Sequence, residues 1–303
     1  MSIFLYGALQ LYVSDMQFGL TPIASAGPPI PQAPLMYEIC HTNWAGLTIV
    51  DFALFSILAY QDSEQIQQDL DVWFNADISD PLARWNISAE YVDRAAVQFY
   101  EFHNPSLDIS VVSVRGTQTL LDTVQDMDLW LSVAILQFTD VFLPSLTVWP
   151  SQLSQHLVLF SSVTYWVSPQ NRFFYQPLLE HVGQIKSGTV YLTGHSLGGG
   201  LSKIASALYN KTSVTFSAPG IDISRLKFEI PAEKDLSLGS VNVEPQSDIV
   251  PLVDYQTGVR QKIPCNVTPL HCHSITLTAK VLSHSCGDPL GRTSIGEDKR
   301  QHG

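Results

Sequence analysis

Positive charge is the scarcest commodity in this sequence. Only 16 of 303 residues are Lys or Arg against 28 Asp or Glu, for a net charge of −12. The one basic pair worth the name, Lys299-Arg300, lies in the tail. A phosphate backbone is held by clustered cations, so nucleic-acid binding is excluded as a function class. Attachment to anionic lipid by charge alone goes with it, and any membrane contact must be hydrophobic. Cysteine is sparse as well: Cys40, Cys265, Cys272 and Cys286, with no C-x-x-C pair to suggest zinc. The even count permits two disulfides in three connectivities. No apolar run reaches the roughly 20 residues of a membrane-spanning helix. The apolar stretch Ile3 to Val13 has no Lys or Arg before it and makes a poor signal peptide.

What the chain has in quantity is apolar material, 45% of its residues, enough for a large core in one α/β domain. Residues 1–35 end in a proline-rich stretch that predicts an irregular arm, residues 36–290 the folded domain, and 291–303 a polar, disordered tail. Asn43 to Tyr60 reads as a buried helix with Asp51 as its only charge. Ala96 to Phe102 and Ile109 to Val114, around His103-Asn104-Pro105-Ser106, read as strand, turn, strand. Asn171 to Ile185 predicts a helix, and Thr189 to Thr193, Ser213 to Phe216 and Gly239 to Val243 predict strands. That alternation implies a largely parallel sheet flanked by helices. Sequons at Asn86, Asn210 and Asn266, with the cysteines, favour a secreted or lumenal setting.

The chemistry concentrates at Gly194-His195-Ser196-Leu197-Gly198-Gly199. This block follows the strand at Thr189 and precedes the helical stretch Leu201 to Tyr209. Strand, G-x-S-x-G, helix is a nucleophile elbow, in which a sharp turn lifts a serine hydroxyl clear of the sheet. Glycines flank the serine because side chains there would strike neighbouring backbone. A serine needs a base to take its proton and an acid to orient the base. Asp248, just past the strand around Val241, is the acid best placed by position; Asp222, Glu229, Glu244 and Asp254 also lie downstream. His271, His273 and His284 are the candidate bases. The Leu197 amide, at the start of the following helix, is one donor to an oxyanion. The turn after Val111 to Val114, at Arg115-Gly116-Thr117, is a plausible source of a second.

These blocks, followed by Thr215-Phe216-Ser217-Ala218-Pro219 and Asp248-Ile249-Val250-Pro251, resemble the lipase class 3 (fungal-lipase-like) family from about Asn43 to Leu282. The resemblance implies an α/β-hydrolase fold with Ser196 as nucleophile, Asp248 as acid and His273 as base. It places His273 on a loop entering a C-terminal helix, and Thr117 with Leu197 at the oxyanion. Arg115-Gly116-Thr117 with Asp122 and Asp126 is similar to the diacylglycerol lipase branch; the two aspartates read equally well as polar residues of a lid. No metal or organic cofactor is implied, and no protein partner can be inferred.

From Leu129 to Val167 the chain carries no Lys or Arg and a single acid, Asp140. In class 3 lipases the lid follows the oxyanion turn, so this insertion predicts a lid that meets lipid through Leu129, Trp130, Phe138, Phe142 and Trp149. The expected substrate is an acylglycerol at a lipid–water interface. Two rivals remain at this point: an esterase acting on soluble or cell-wall esters, and a non-catalytic lipid-binding protein.

Overall fold

The computed structural model describes residues 37–76, 78–92, 97–116, 130–142, 150–161, 174–186 and 188–292. The expected arm (1–35) lies outside the described residues, as does the tail from 293 onward. The elements in chain order are α1 (Ile49–Leu58), α2 (Ser63–Phe74), β1 (Asn86–Val92), β2 (Gln98–Asn104), β3 (Ile109–Val114), α3 (Leu131–Phe142) and α4 (Ser151–Ser161). They continue with α5 (Gln176–Gln184), β4 (Thr189–His195), α6 (Leu197–Tyr209), β5 (Thr212–Phe216), β6 (Ser240–Pro245), β7 (Val259–Ile263), α7 (Pro269–Cys272) and α8 (Ile275–Cys286).

Several boundaries differ from the sequence reading for local reasons. The first helix does not begin at Asn43. Ala45 and Gly46 take positive φ, and Trp44 and Leu47 bridge across that turn. Helix α1 starts only after Thr48, whose hydroxyl accepts from the Asp51 amide while the Asp51 carboxylate accepts from the Thr48 amide. The turn joining β2 and β3 sits at 105–108 rather than 103–106, because His103 and Asn104 still pair with Ser110 and Ile109. Helix α2 and the edge strands β1 and β7 add to the elements read from sequence.

The seven strands lie in sequence order across one sheet. β1, β2 and β3 are antiparallel, and β3 to β7 are parallel. Alternation along each strand sends side chains to two cores. One face carries Tyr100, Phe102, Val111, Tyr191 and Val243 beneath α1, α2 and α8. The other carries Phe99, Val112, Val114, Val190 and Leu192 beneath α5 and α6. Burial on both faces explains why β3 and β6 are buried along their whole length.

Two disulfides form, Cys40–Cys286 and Cys265–Cys272. The first ties the segment before α1 to the end of α8. Arg292 reinforces that seam by pairing with Asp51 at 2.8 Å and Asp288 at 2.8 Å. Among the described residues, no helix is long and apolar enough to cross a membrane.

Candidate active site

A parallel sheet gathers the loops that leave the carboxyl ends of its strands, and the site is built there. Ser196 follows β4 directly, with φ 58° and ψ −129°. This is a sparsely populated conformation for a residue with a Cβ, and surrounding contacts must hold it. Its amide donates to Phe216 O at 3.0 Å, and its carbonyl accepts from the Gly200 amide at 3.1 Å, the first turn of α6. The glycines permit the fit. A Cβ on Gly194 would stand 2.7 Å from the Val114 carbonyl oxygen, and one on Gly198 would collide with that same oxygen and with the Arg115 backbone. Three consecutive glycines are poor helix formers, yet α6 needs them to press against β3 and the loop after β5.

The Ser196 hydroxyl lies 2.9 Å from His273 Nε2. On the other side of the imidazole, Nδ1 is 2.9 and 3.1 Å from the two carboxylate oxygens of Asp248. Since a carboxylate only accepts, Nδ1 carries the proton and Nε2 is free to accept from the serine. All three residues are buried. Asp248 sits in the loop after β6, where its Oδ1 also accepts from the Val250 amide at 3.0 Å. His273 follows the short helix α7, which begins at the cap Thr268 and ends at the disulfide-bonded Cys272; Ser274 then caps α8.

The competing residues are placed elsewhere. His271 and His284 are exposed. Asp222 pairs with Arg225, and Glu244 holds Arg260 through two oxygens. Asp254 accepts the amides of Ile223, Ser224 and Tyr255, and Glu229 is an exposed turn residue. Leu197 is the first residue of α6, so its amide is at the positive end of that helix. Thr117, Asp122, Asp126, Leu129 and Trp149 lie outside the described residues, and so do the side chains of Phe138 and Phe142.

Trp130 corrects one expectation. It is wholly buried, its indole N–H donating 2.7 Å to the Gly220 carbonyl and its ring packing on Phe228 at 5.2 Å between centroids. A Cβ on Gly200 would strike the same ring. The surrounding apolar run suggests lipid contact; the indole donor instead finds a backbone partner inside the fold, as a buried tryptophan requires.

Sequence reasoning gave no role to Tyr60 or His195. The Tyr60 hydroxyl lies 2.9 Å from His195 Nδ1, and His195 Nε2 lies 2.6 Å from the carbonyl oxygen of His273. His195 is the variable position of the elbow motif, and its adjacency to Ser196 was the only available signal. Burial, with the repulsion a protonated His273 would exert, holds the imidazole well below its usual range, outweighing the opposing pull of that carbonyl. Burial raises the Tyr60 phenol, against smaller opposing effects of the Gly116 amide and the Arg115 charge. Among the described residues, no group of three or more His, Cys, Asp or Glu is arranged to hold a metal ion.

Residues 180–262 match the family described as Phospholipase-like, Tle-like phospholipase domain. That span includes Ser196 and Asp248 and stops short of His273. No curated protein matches the chain in sequence. Similar solved structures include a lipase from Rhizopus microsporus var. chinensis, 15% identical over 84% of this chain and 86% of that one, with a TM-score of 0.41. A lipase from Yarrowia lipolytica is 14% identical over 72% and 79%, with a TM-score of 0.37. A triacylglycerol lipase from Penicillium expansum is 16% identical over 72% and 79%, with a TM-score of 0.33. The chain folds as a mixed seven-stranded sheet flanked by helices, and between residues 180 and 262 it is similar to the Tle-like phospholipase domain.

Proposed function

We propose that this protein is a serine lipase that hydrolyses carboxylic esters of acylglycerols at a lipid–water interface. The observation that carries the reading is the buried line of hydrogen bonds from Ser196 Oγ through the His273 imidazole to Asp248. In this reading Ser196 attacks the ester carbonyl as His273 Nε2 takes its proton. Asp248 holds the imidazolium, and the Leu197 amide with Thr117 holds the oxyanion. His273 then protonates the leaving alcohol, and an acyl-serine remains. Water, deprotonated by the same imidazole, releases the fatty acid. No metal or organic cofactor is needed.

Support for an interfacial substrate comes from α4. Leu153, Leu157 and Phe160 recur at i, i+4 and i+7 along its outer face, and Phe160 is 77% exposed. The opposite face buries Gln155 and Val158. An exposed apolar stripe on a helix that carries no Asp, Glu, Lys or Arg suits contact with lipid. The burial of Ser196 supports a lid reading, since an ester must gain access before attack. The disulfides and the exposed sequon residues Asn86, Asn210 and Asn266 support a secreted or lumenal protein.

A second reading, ester hydrolysis on a glycerophospholipid, is favoured by the phospholipase description of the matched segment. The net charge of −12 would direct that activity to neutral rather than anionic surfaces. The diacylglycerol-lipase reading rests on Arg115-Gly116-Thr117 with Asp122 and Asp126. Release of fatty acid from dispersed diacylglycerol, triacylglycerol and phosphatidylcholine by the purified protein separates these readings. Activity that rises steeply above the substrate's aggregation point supports the lipase. Activity confined to monomeric soluble esters would replace it with an esterase. Failure of a serine-directed phosphonate to label Ser196 would leave a non-catalytic lipid-binding protein.

A further inference from the structure

Resting on the serine-hydrolase reading, we infer that Tyr60 and His195 are positioning residues: a one-directional hydrogen-bond chain, Gly116 to Tyr60 to His195 to the His273 carbonyl, fixes the backbone of the base relative to the oxyanion turn. Chemistry sets the direction. The His273 carbonyl can only accept, so His195 Nε2 must carry a proton and donate across 2.6 Å. In the neutral imidazole Nδ1 is then an acceptor, and the Tyr60 hydroxyl donates to it across 2.9 Å. That leaves the phenolic oxygen to accept, and the Gly116 amide supplies its hydrogen bond. Every donor in the chain has one acceptor, and no member is free to reorient without orphaning a buried polar atom.

Geometry ties the chain to the catalytic groups at both ends. Gly116 ends the turn after β3 and directly precedes Thr117. A Cβ on Gly116 would strike the Tyr60 hydroxyl, and would stand 2.5 Å from the His195 carbonyl and 3.3 Å from Ser196 Cβ. The rings of His195 and His273 pack with centroids 4.6 Å apart, and the Arg115 guanidinium sits 5.7 Å over the Tyr60 ring. His195 thus carries the nucleophile on its own backbone and grips the base with its side chain. Ser196 and His273 are 77 residues apart in sequence, and this is a direct tether that sets the distance between them. His273 Nδ1 is held to Asp248 by its side chain; the chain through His195 holds the main chain, so the imidazole is fixed from two sides.

Four proteins test the inference: wild type, Tyr60→Phe, His195→Gln and His195→Leu. Gln keeps an N–H donor near the position of Nε2, whereas Leu keeps only volume. The functional readout is ester turnover per site titrated by a serine-directed phosphonate, with kcat and KM separated, so that a loss of folded protein lowers the number of sites and not the turnover of each. Turnover should fall about tenfold in Tyr60→Phe, the worth of one buried hydrogen bond, with KM unchanged. It should fall about a hundredfold in His195→Leu, the cost of displacing a reacting group by the order of 1 Å. His195→Gln should recover most of that loss. A low-field imidazole N–H proton resonance, present in wild type and absent in His195→Leu, reports the 2.6 Å bond without reference to activity. Turnover per site within twofold of wild type in Tyr60→Phe and His195→Leu would overturn the inference while leaving the hydrolase intact. A folded wild type that shows the resonance but takes no label at Ser196 would overturn the hydrolase reading, and with it any positioning role.

Discussion

Cys272, bridged to Cys265, is the residue immediately before His273. The bridge spans only 7 positions, whereas Cys40–Cys286 spans 246. The chain-entropy relation gives the short loop about 2.5 kcal/mol and the long one about 5.5 kcal/mol. Replacing Cys40 and Cys286 by Ser should therefore lower the thermal midpoint more than replacing Cys265 and Cys272. Activity should show the reverse order, because the short bridge fixes the loop that presents His273. Calorimetry and ester hydrolysis on the two double variants check both halves; equal activity losses would contradict the assignment of the short bridge to the site.

Gly198→Ala places a methyl against the Val114 carbonyl oxygen and the Arg115 backbone, neither of which is the end of a flexible side chain. The expected cost is about 1–3 kcal/mol of stability. Turnover should fall on the order of a hundredfold, since the collision displaces the elbow from β3 and the Arg115-Gly116 backbone that follows it. Chemical denaturation and phosphonate labelling of the same preparation measure the two effects. A variant with wild-type labelling rate would show that the elbow tolerates the shift.

Trp130→Ala should cost about 3–5 kcal/mol, the range for truncating a buried large aromatic. The loss combines its contact with Phe228 and the orphaned Gly220 carbonyl. Binding to lipid vesicles should change far less for Trp130→Ala than for a Leu153, Leu157 and Phe160 triple substitution to Ser, which removes the exposed stripe on α4. If Trp130→Ala alone abolished vesicle binding at unchanged stability, the indole would have to reach lipid in the working protein.

Lys203, buried on α6, donates to the Pro219 carbonyl at 3.0 Å and to Gln256 at 2.6 Å. Burial brings its pKa down to about 7, with Glu244 and Asp254 opposing that effect and Arg260 adding to it. In the unfolded chain the ammonium titrates near 10.5. Between these values the unfolded state binds the extra proton, so this lysine's contribution to stability falls as pH drops from about 10.5 to about 7 and is flat below. Lys203→Met removes the linkage. The stability difference, wild type minus variant, should therefore grow with pH across that window, by at most about 1.4 kcal/mol per pH unit. Urea unfolding at pH 6, 7, 8 and 9 reads it directly; a difference independent of pH would mean the lysine stays charged when folded.

The sequence made the parallel half of the sheet legible because β3, β4, β5 and β6 are short, apolar and bounded by turn residues. It was less informative at the edges. β7 is largely exposed and reads Val-Arg-Gln-Lys-Ile, and β1 alternates between exposed and half-buried positions, so neither carries the apolar run that marks a central strand. The start of α1 is hard to read because Trp44, Ala45 and Leu47 extend the apolar run of the helix, and only the Thr48–Asp51 pair marks the boundary. At the site, strand-to-loop position singled out Ser196 and Asp248, while three histidines remained open on spacing alone. Tyr60 could not have been found: it lies 135 residues from His195, and only the fold brings them together.

Whether Ser196, His273 and Asp248 hydrolyse a lipid ester is decided by fatty-acid release from dispersed di- and triacylglycerol by wild type, Ser196→Ala, His273→Ala and His271→Ala. The first two substitutions should lower turnover at least about 10⁴-fold, while exposed His271 can be replaced with little loss. Wild-type turnover in His273→Ala, or in Ser196→Ala, would contradict the proposed triad.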